Sequence, residues 1–338
     1  MKNYEYVFTR NKKFERQELN SKSVLALDEV IVEPAYVGIC GSDLYHYTTF
    51  NGEQLRLGHE WIGVITGKGA SVSNLNIGDW VTTSAAIGCG ECDYCLNQKV
   101  NLCNQAVYLG SDQLGSLRGS LKFKSFNALK LKSHDKSEVL IEVLAVAVEA
   151  IRLMKENNNG LPEKALILGC GTVGLLIAHL LKEENINTTI VDIKKSRIER
   201  ARNIGLNAKP LNQILIDEKE HHSFDILFDA TSDRDGNAGG WNYLHLFGQK
   251  NFLAIMIGKY TKKVEVTPDL FSRLAARLIF MRGVPLDTLK MTIDKWSGKL
   301  NELSGKIISH TYSSEKLDDA FITALDTSLS GKVVIEME

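Results

Sequence analysis

Four cysteines, Cys89, Cys92, Cys95 and Cys103, fall in one short stretch, GCGECDYCLNQKVNLC, with gaps of two, two and seven residues. Thiolates that close together can converge tetrahedrally on one Zn²⁺ and fill every coordination position, so the ion they hold is a structural staple and performs no chemistry itself. Disulfides and an iron–sulfur cluster are the competing readings. The chain opens on MKNYEYVFTRNKKFERQ, polar and charged without the apolar core of a secretory leader, which argues against an oxidising compartment. A bacterial ferredoxin run has a gap of three before its fourth Cys and a Pro after it, whereas here the gap is seven and Asn104 follows. Structural zinc is the expectation.

A second constellation is Gly169, Gly171 and Gly174, a G-x-G-x-x-G turn set directly after the apolar run ALIL and directly before a helical pattern. The first two glycines permit a tight turn and close backbone approach to a pyrophosphate. The third permits helix–strand contact, and the helix that starts at Thr172 and Val173 supplies a field that favours the anion. A glycine triplet alone is weak evidence. Its context strengthens it: Asp192 ends the next apolar run eighteen residues after Gly174, where a carboxylate accepts both hydroxyls of an adenosine ribose. The same carboxylate repels a 2′-phosphate, so NAD is favoured over NADP, with Lys194, Lys195 and Arg197 nearby to soften that preference. A tight strand–helix turn with an ordinary surface Asp is the alternative.

A third set is scattered along the chain: Cys40 in GICGSDLYH, His59 and Glu60 in GHEWIG, and Glu142 in IEVLAVAV. Cys, His and Glu together suit a Zn²⁺ with one position left open for substrate or water, the arrangement that catalysis requires. Taken singly, each is as readily a core thiol, a satisfied core His or a surface carboxylate.

The elements that must position these residues fall into two groups. From Asp28 to about Val81, short β-rich runs (EVIVEPAYVGIC, WIGVITGKG, GDWVTT) alternate with Gly and Asn, which predicts an irregular antiparallel barrel or sandwich. Around Val139 the period changes to helical spacing in VLIEVLAVAVEAIRLMKENNNG. From Lys164 strands and helices alternate as in a parallel doubly wound sheet, up to about Pro285. The tail, KIISHTYSSEKLDDAFITAL to GKVVIEME, reads as strand–helix–strand folding back on the first domain. With 338 residues, two domains are the natural expectation. Charged residues make up 24% of the chain with a net charge of −1, so no basic field exists to gather nucleic acid. No apolar run reaches the ~20 residues of a membrane span, and a cytoplasmic location is expected.

The run GHEWIGVITGKGASV matches the signature G-H-E-x-x-G, five residues, G, two residues and an aliphatic residue of the zinc-containing medium-chain alcohol dehydrogenases. The cysteine quartet and GCGTVG stand in the same order and approximate spacing, so the chain resembles that family over nearly its whole length, and its polyol or sorbitol dehydrogenase branch in particular. The resemblance implies an α/β protein: a GroES-like β-rich catalytic domain at 1–145 and 286–338, with a zinc lobe at about 88–104, and a Rossmann NAD-binding domain at 146–285. The active site is then expected in the cleft between them, and the assembly as a homodimer or homotetramer.

Within that resemblance Cys40, His59 and Glu142 look like the catalytic zinc ligands. Relatives usually read E-P-L at the third, where this chain has Glu142 followed by Val and Leu. Asp43 resembles the carboxylate that orients the zinc-bound His, Glu60 the carboxylate that approaches the zinc directly or through water, and Ser42 the hydroxyl bonded to the substrate. Many relatives place a relay His five residues after the Cys, but here that position is Tyr45 and the His comes next, at His46. Tyr45 is expected at the substrate or in simple packing, and His46 at the proton exit or on the surface. The implied reaction puts an alcohol oxygen on zinc, its proton on Ser42 and its hydride on the nicotinamide of NAD.

Arg282, in RLIFMRGV, stands near a substrate-facing Arg of sorbitol-dehydrogenase-like relatives, which favours a polyol or sugar; a solvated charge is the alternative. Arg118, Lys122 and Lys124 stand close in sequence, which admits a phosphorylated or carboxylated sugar. Threonine-like amino alcohols compete as substrates. A non-catalytic, zinc-stapled NAD-binding module is the reading of a different kind; two zincs per chain fit the enzyme and one fits the module.

Overall fold

The computed structural model describes residues 2–19, 24–158, 160–232, 239–328 and 330–338. The chain divides into two compact units, one made of Met1–Ala145 with Gly283–Glu338 and the other of Val146–Arg282. Among the described residues no helix is long and apolar enough to cross a membrane.

The first unit is built on a seven-stranded sheet whose central strand, Glu29–Gly38, pairs antiparallel with Glu60–Lys68, with Leu121–Lys124 and with Lys332–Glu336. Strand Ile308–Ser313 then joins Lys332–Glu336 in parallel. A parallel pair needs a crossover, which the helix Leu317–Leu325 provides. Its inward residues Leu317, Ala320 and Phe321 are buried, and Phe321 packs its ring on Phe14 and Tyr47 at 4.8 and 5.1 Å between centroids. Full burial of Phe321 contributes about 1.5–3 kcal/mol. The tail is thus an integral part of the sheet.

The stretch read from sequence as continuous β-rich text contains a helix, Gly41–Thr49. Its pattern is weakly amphipathic, since only Asp43 within it is buried. The usable signal was local: Asp43 sits at the third helical position, and its carboxylate accepts the N–H of Cys40, the N-cap, at 2.8 Å.

The second unit is a six-stranded parallel sheet in the order Ala208–Pro210, Asn187–Asp192, Lys164–Leu168, Phe224–Asp229, Gly248–Met256, Arg277–Phe280. Strand order reverses between Lys164–Leu168 and Phe224–Asp229, the switch point at which such sheets bind ligands beyond their carboxyl ends. The central strands are apolar on both faces: Ala165, Leu166, Ile167, Ile226, Leu227 and Phe228 are fully buried. Chain passage between the units occurs inside the helix Ile141–Asn157, whose first turn carries Glu142.

Candidate active site

Cys89, Cys92, Cys95 and Cys103 come together with their four sulfurs within 4.8 Å of one another, and all are free thiols. Cys92 caps the short helix Asp93–Leu96 that carries Cys95. Gly90 takes φ +85°, a left-handed conformation that favours glycine, and a side chain there would also meet the ring of Phe126. The N–H groups of Glu91 and Cys92 pull the Cys89 thiol down to about 6, whereas burial pushes Cys95 up to about 12. Four sulfurs at that separation fit a closed tetrahedral Zn²⁺ site.

The second cluster groups Cys40, His59 and Glu60, whose donor atoms lie within 4.8 Å of one another. Cys40 ends the approach to the helix Gly41–Thr49, and Glu60 opens the strand Glu60–Lys68. Asp43 holds His59 from behind, with Oδ1 3.4 Å from Nδ1, and is itself fixed by the N–H of Cys40 at 2.8 Å and of Gly58 at 3.0 Å. Burial alone raises the Asp43 carboxyl, but His59 and the two N–H groups outweigh it and hold it below the usual carboxylate range. Burial likewise disfavours charge on His59, and Asp43 and Cys40 override it, raising its pKa well above the ordinary value. The pair leaves Nε2 of His59 facing the other donors, and Ser42 Oγ lies 3.4 Å from it. Gly110, at φ +75°, allows this closeness: a Cβ there would stand 3.0 Å from Asp43 Oδ1 and 3.1 Å from His59 Nδ1.

Glu142 lies outside that three-residue group. It is buried, accepts a hydrogen bond from the N–H of Ala85, and has His59, Glu60 and Lys332 as charged neighbours. Burial, reinforced by Glu60, pushes its pKa up to about 7. Sequence reasoning missed Lys332. Its ammonium, 3% exposed, donates to Glu60 Oε2 at 2.5 Å and to the carbonyl of Ile39 at 3.2 Å. No local signal could have marked it, because 272 residues separate it from Glu60. Tyr45 and His46 are neighbours on the same helix, with ring centroids 5.5 Å apart in an edge contact.

In the second unit the glycine turn connects Lys164–Leu168 to the helix Thr172–Glu183. Gly169 takes φ +104°, and a Cβ on Gly174 would collide with the carbonyl oxygen of Gly169. At Gly171 a Cβ would meet nothing, so backbone there faces open space, as a phosphate-approaching turn requires. Asp192 is held by the N–H of Cys170 at 2.8 Å and of Lys194 at 2.9 Å, with Arg197 Nη1 3.7 Å away. Arg282 is exposed, the last residue of this unit.

The three cations expected from sequence to form an anion-binding group are otherwise engaged. Arg118 pairs with the buried Glu5 at 3.5 Å, Lys122 with Glu29 at 3.4 Å, and Lys124 donates to the carbonyl of Cys89 at 2.8 Å. Sequence adjacency said nothing of these partners, which come from distant parts of the chain.

Comparison with known proteins adds the following. Residues 26–133 match the alcohol dehydrogenase GroES-like domain family, and residues 165–241 match the TrkA-N domain family. The D-arabitol-phosphate dehydrogenase of Enterococcus avium is 29% identical over 221 residues, 60% of this chain and 61% of that enzyme. The match thus spans about three-fifths of that relative. An L-threonine 3-dehydrogenase of Marinomonas sp. (strain MWYL1) is 24% identical over 91% of this chain and 92% of its own length. An alcohol dehydrogenase of Escherichia coli CFT073, solved with NADH, superposes with a TM-score of 0.83 over 98% of both chains at 22% identity, a likeness of fold.

Proposed function

Because the chain belongs to the medium-chain alcohol dehydrogenase family, we propose that it is a zinc-dependent oxidoreductase transferring a hydride between a secondary alcohol, in the form of a polyol, sugar or sugar derivative, and NAD. Its action on CH–OH groups follows the activity named for its relatives. The observation that carries the reading is the convergence of Cys40, His59 and Glu60, with Asp43 orienting His59 and Ser42 Oγ 3.4 Å from Nε2. A closed binding module has no use for a three-donor set of this kind beside a second, four-cysteine set.

Cys40 and His59 hold the metal together with a carboxylate: Glu60 by its distance here, Glu142 by family resemblance. Zinc, when bound, would act as a Lewis acid that lowers the pKa of a hydroxyl group toward neutrality. The protein's own part is orientation and proton handling. Asp43 fixes the ring and tautomer of His59. Ser42 Oγ would receive the substrate hydroxyl proton while handing its own hydroxyl proton on toward solvent, so that it remains a neutral hydroxyl. The N–H groups that open the helix Thr172–Glu183 bind the pyrophosphate, and Asp192 accepts the adenosine ribose hydroxyls, favouring NAD over NADP. Tyr45, His46 and Arg282 are assigned to the substrate and proton-exit side, on resemblance.

A threonine-type amino alcohol is the second reading, favoured by the match to L-threonine 3-dehydrogenase over 91% of the chain. The deciding experiment is an NAD-reduction screen over polyols, polyol phosphates, sugar acids and threonine with metal content measured in parallel. Zinc-replete protein that reduces NAD with none of these alcohols would refute the proposal, and turnover on threonine alone would select the second reading.

A further inference from the structure

At the carboxyl ends of Phe224–Asp229 and Gly248–Met256, three side chains form a closed polar knot. Asp229 is fully buried. Its Oδ1 accepts the N–H and the hydroxyl of Thr231 at 3.0 and 2.6 Å, and its Oδ2 accepts the hydroxyl of Tyr260 at 2.5 Å. The two hydroxyl oxygens are 2.7 Å apart, and the N–H of Gly240 points at both, 2.7 Å from Thr231 Oγ1 and 3.0 Å from Tyr260. Each hydroxyl has one proton, and each is nearest a carboxylate oxygen. The Gly240 N–H thus donates to two oxygens that are themselves within hydrogen-bond distance of each other. All three side chains are satisfied only as a set, and such networks fix geometry more tightly than their separate bonds.

The surrounding backbone has no slack. A Cβ on Gly240 would stand 2.5 Å from Asp229 Oδ1, and one on Gly169 would stand 2.9 Å from the carbonyl oxygen of Ala230 and 3.3 Å from Thr231 Cγ2. A Cβ on Gly258 would collide with the carbonyl of Thr231, and the N–H groups of Ile257 and Gly258 both donate to the carbonyl of Asp229. The knot thus ties the ends of two strands to the flank of the glycine turn. In a doubly wound sheet of this strand order, the first three strands carry the adenosine half of a dinucleotide and the last three the nicotinamide half. The strands tied here belong to the second half, immediately beside the switch point.

We propose that Tyr260, acting through Asp229 and Thr231, is a positioning residue for the nicotinamide half of the cofactor. It rests on the NAD-binding reading above. The Tyr260 hydroxyl is the member of the knot contributed by the loop that follows Gly248–Met256, and it links that loop to the end of Phe224–Asp229 through a side chain.

The test compares wild type, Tyr260→Phe and Thr231→Ser by calorimetric binding of NADH and of ADP-ribose, which lacks the nicotinamide ring, with melting temperature as the folding control. Tyr260→Phe is expected to weaken NADH about fivefold or more and leave ADP-ribose within about twofold, equivalent to roughly 1 kcal/mol confined to the nicotinamide half. Thr231→Ser, which keeps the hydroxyl, is expected to weaken NADH less than Tyr260→Phe does, and a loss as large as that of Tyr260→Phe would overturn the assignment. Equal weakening of both ligands by Tyr260→Phe, or no weakening of NADH, would overturn the assignment. Wild type that binds neither ligand would instead overturn the NAD-binding reading.

Discussion

Lys332 Nζ lies 2.5 Å from Glu60 Oε2, with side-chain exposures of 3% and 1%, and so forms a fully buried ion pair next to the Cys40 and His59 donors. Burial lowers the Lys332 pKa, yet Glu60 and Cys40 outweigh it and raise it, so the ammonium stays charged. Removing one partner leaves the other charge buried and alone, which costs about 3–5 kcal/mol. Lys332→Met should therefore destabilise the first unit by that order in denaturant unfolding. Adding Glu60→Gln should recover most of the loss, and a double variant no more stable than Lys332→Met alone would show that the two side chains are not coupled.

The cysteine lobe makes a prediction about metal content. Cys103→Ser should remove one metal equivalent per chain, leave the other in place, and lower the melting temperature, because a structural zinc is bound by the folded form alone. Elemental analysis and a thermal melt check both parts. Unchanged stoichiometry would exclude the quartet as a zinc site.

Glu60 and Glu142 divide the third-ligand role by a measurement of zinc retention. If the distances in this structure govern, Glu60→Gln weakens zinc retention against a chelator and Glu142→Gln changes it little; the reverse order assigns the role to Glu142. An equal, small effect of both would leave Cys40 and His59 without a carboxylate partner and remove the three-donor centre.

Glu220 provides a pH test away from the metal donors. Burial raises its carboxyl, but Lys164 at 2.7 Å and Lys209 at 2.8 Å outweigh that and lower it. A depressed folded pKa gives stability that is present above the unfolded value, about 4.3, and disappears as pH falls through the folded value. Glu220→Gln should cost roughly 1–3 kcal/mol at pH 7, and the difference from wild type should shrink as the pH falls below about 4. A difference that does not change with pH would mean the ion pairs contribute nothing.

Much of this was legible in the sequence because it is local. The quartet lies within fifteen residues of chain, and the turn Gly169 to Gly174 within six, so spacing alone carries their geometry. The parallel doubly wound sheet of the second unit was legible in the alternation of apolar runs, although its strand order was not, and the short edge strands Ala208–Pro210 and Arg277–Phe280 carried too little pattern to be read. The helix Gly41–Thr49 escaped because it buries only one residue, and its cap was its sole signature. What could not be read was pairing at long range: Lys332 with Glu60, Arg118 with Glu5, and Tyr260 with Asp229 each depend on which strands the fold sets side by side.

The central claim is that a metal held by His59 with its neighbours makes the alcohol reactive while NAD is bound by separate residues. The direct measurement is NAD reduction by His59→Ala beside wild type on a substrate found by the screen, with NADH affinity determined for both. Loss of the metal's contribution, several kcal/mol, should lower turnover by about a thousandfold or more, with NADH affinity within about twofold of wild type. Turnover by His59→Ala within tenfold of wild type would contradict the account.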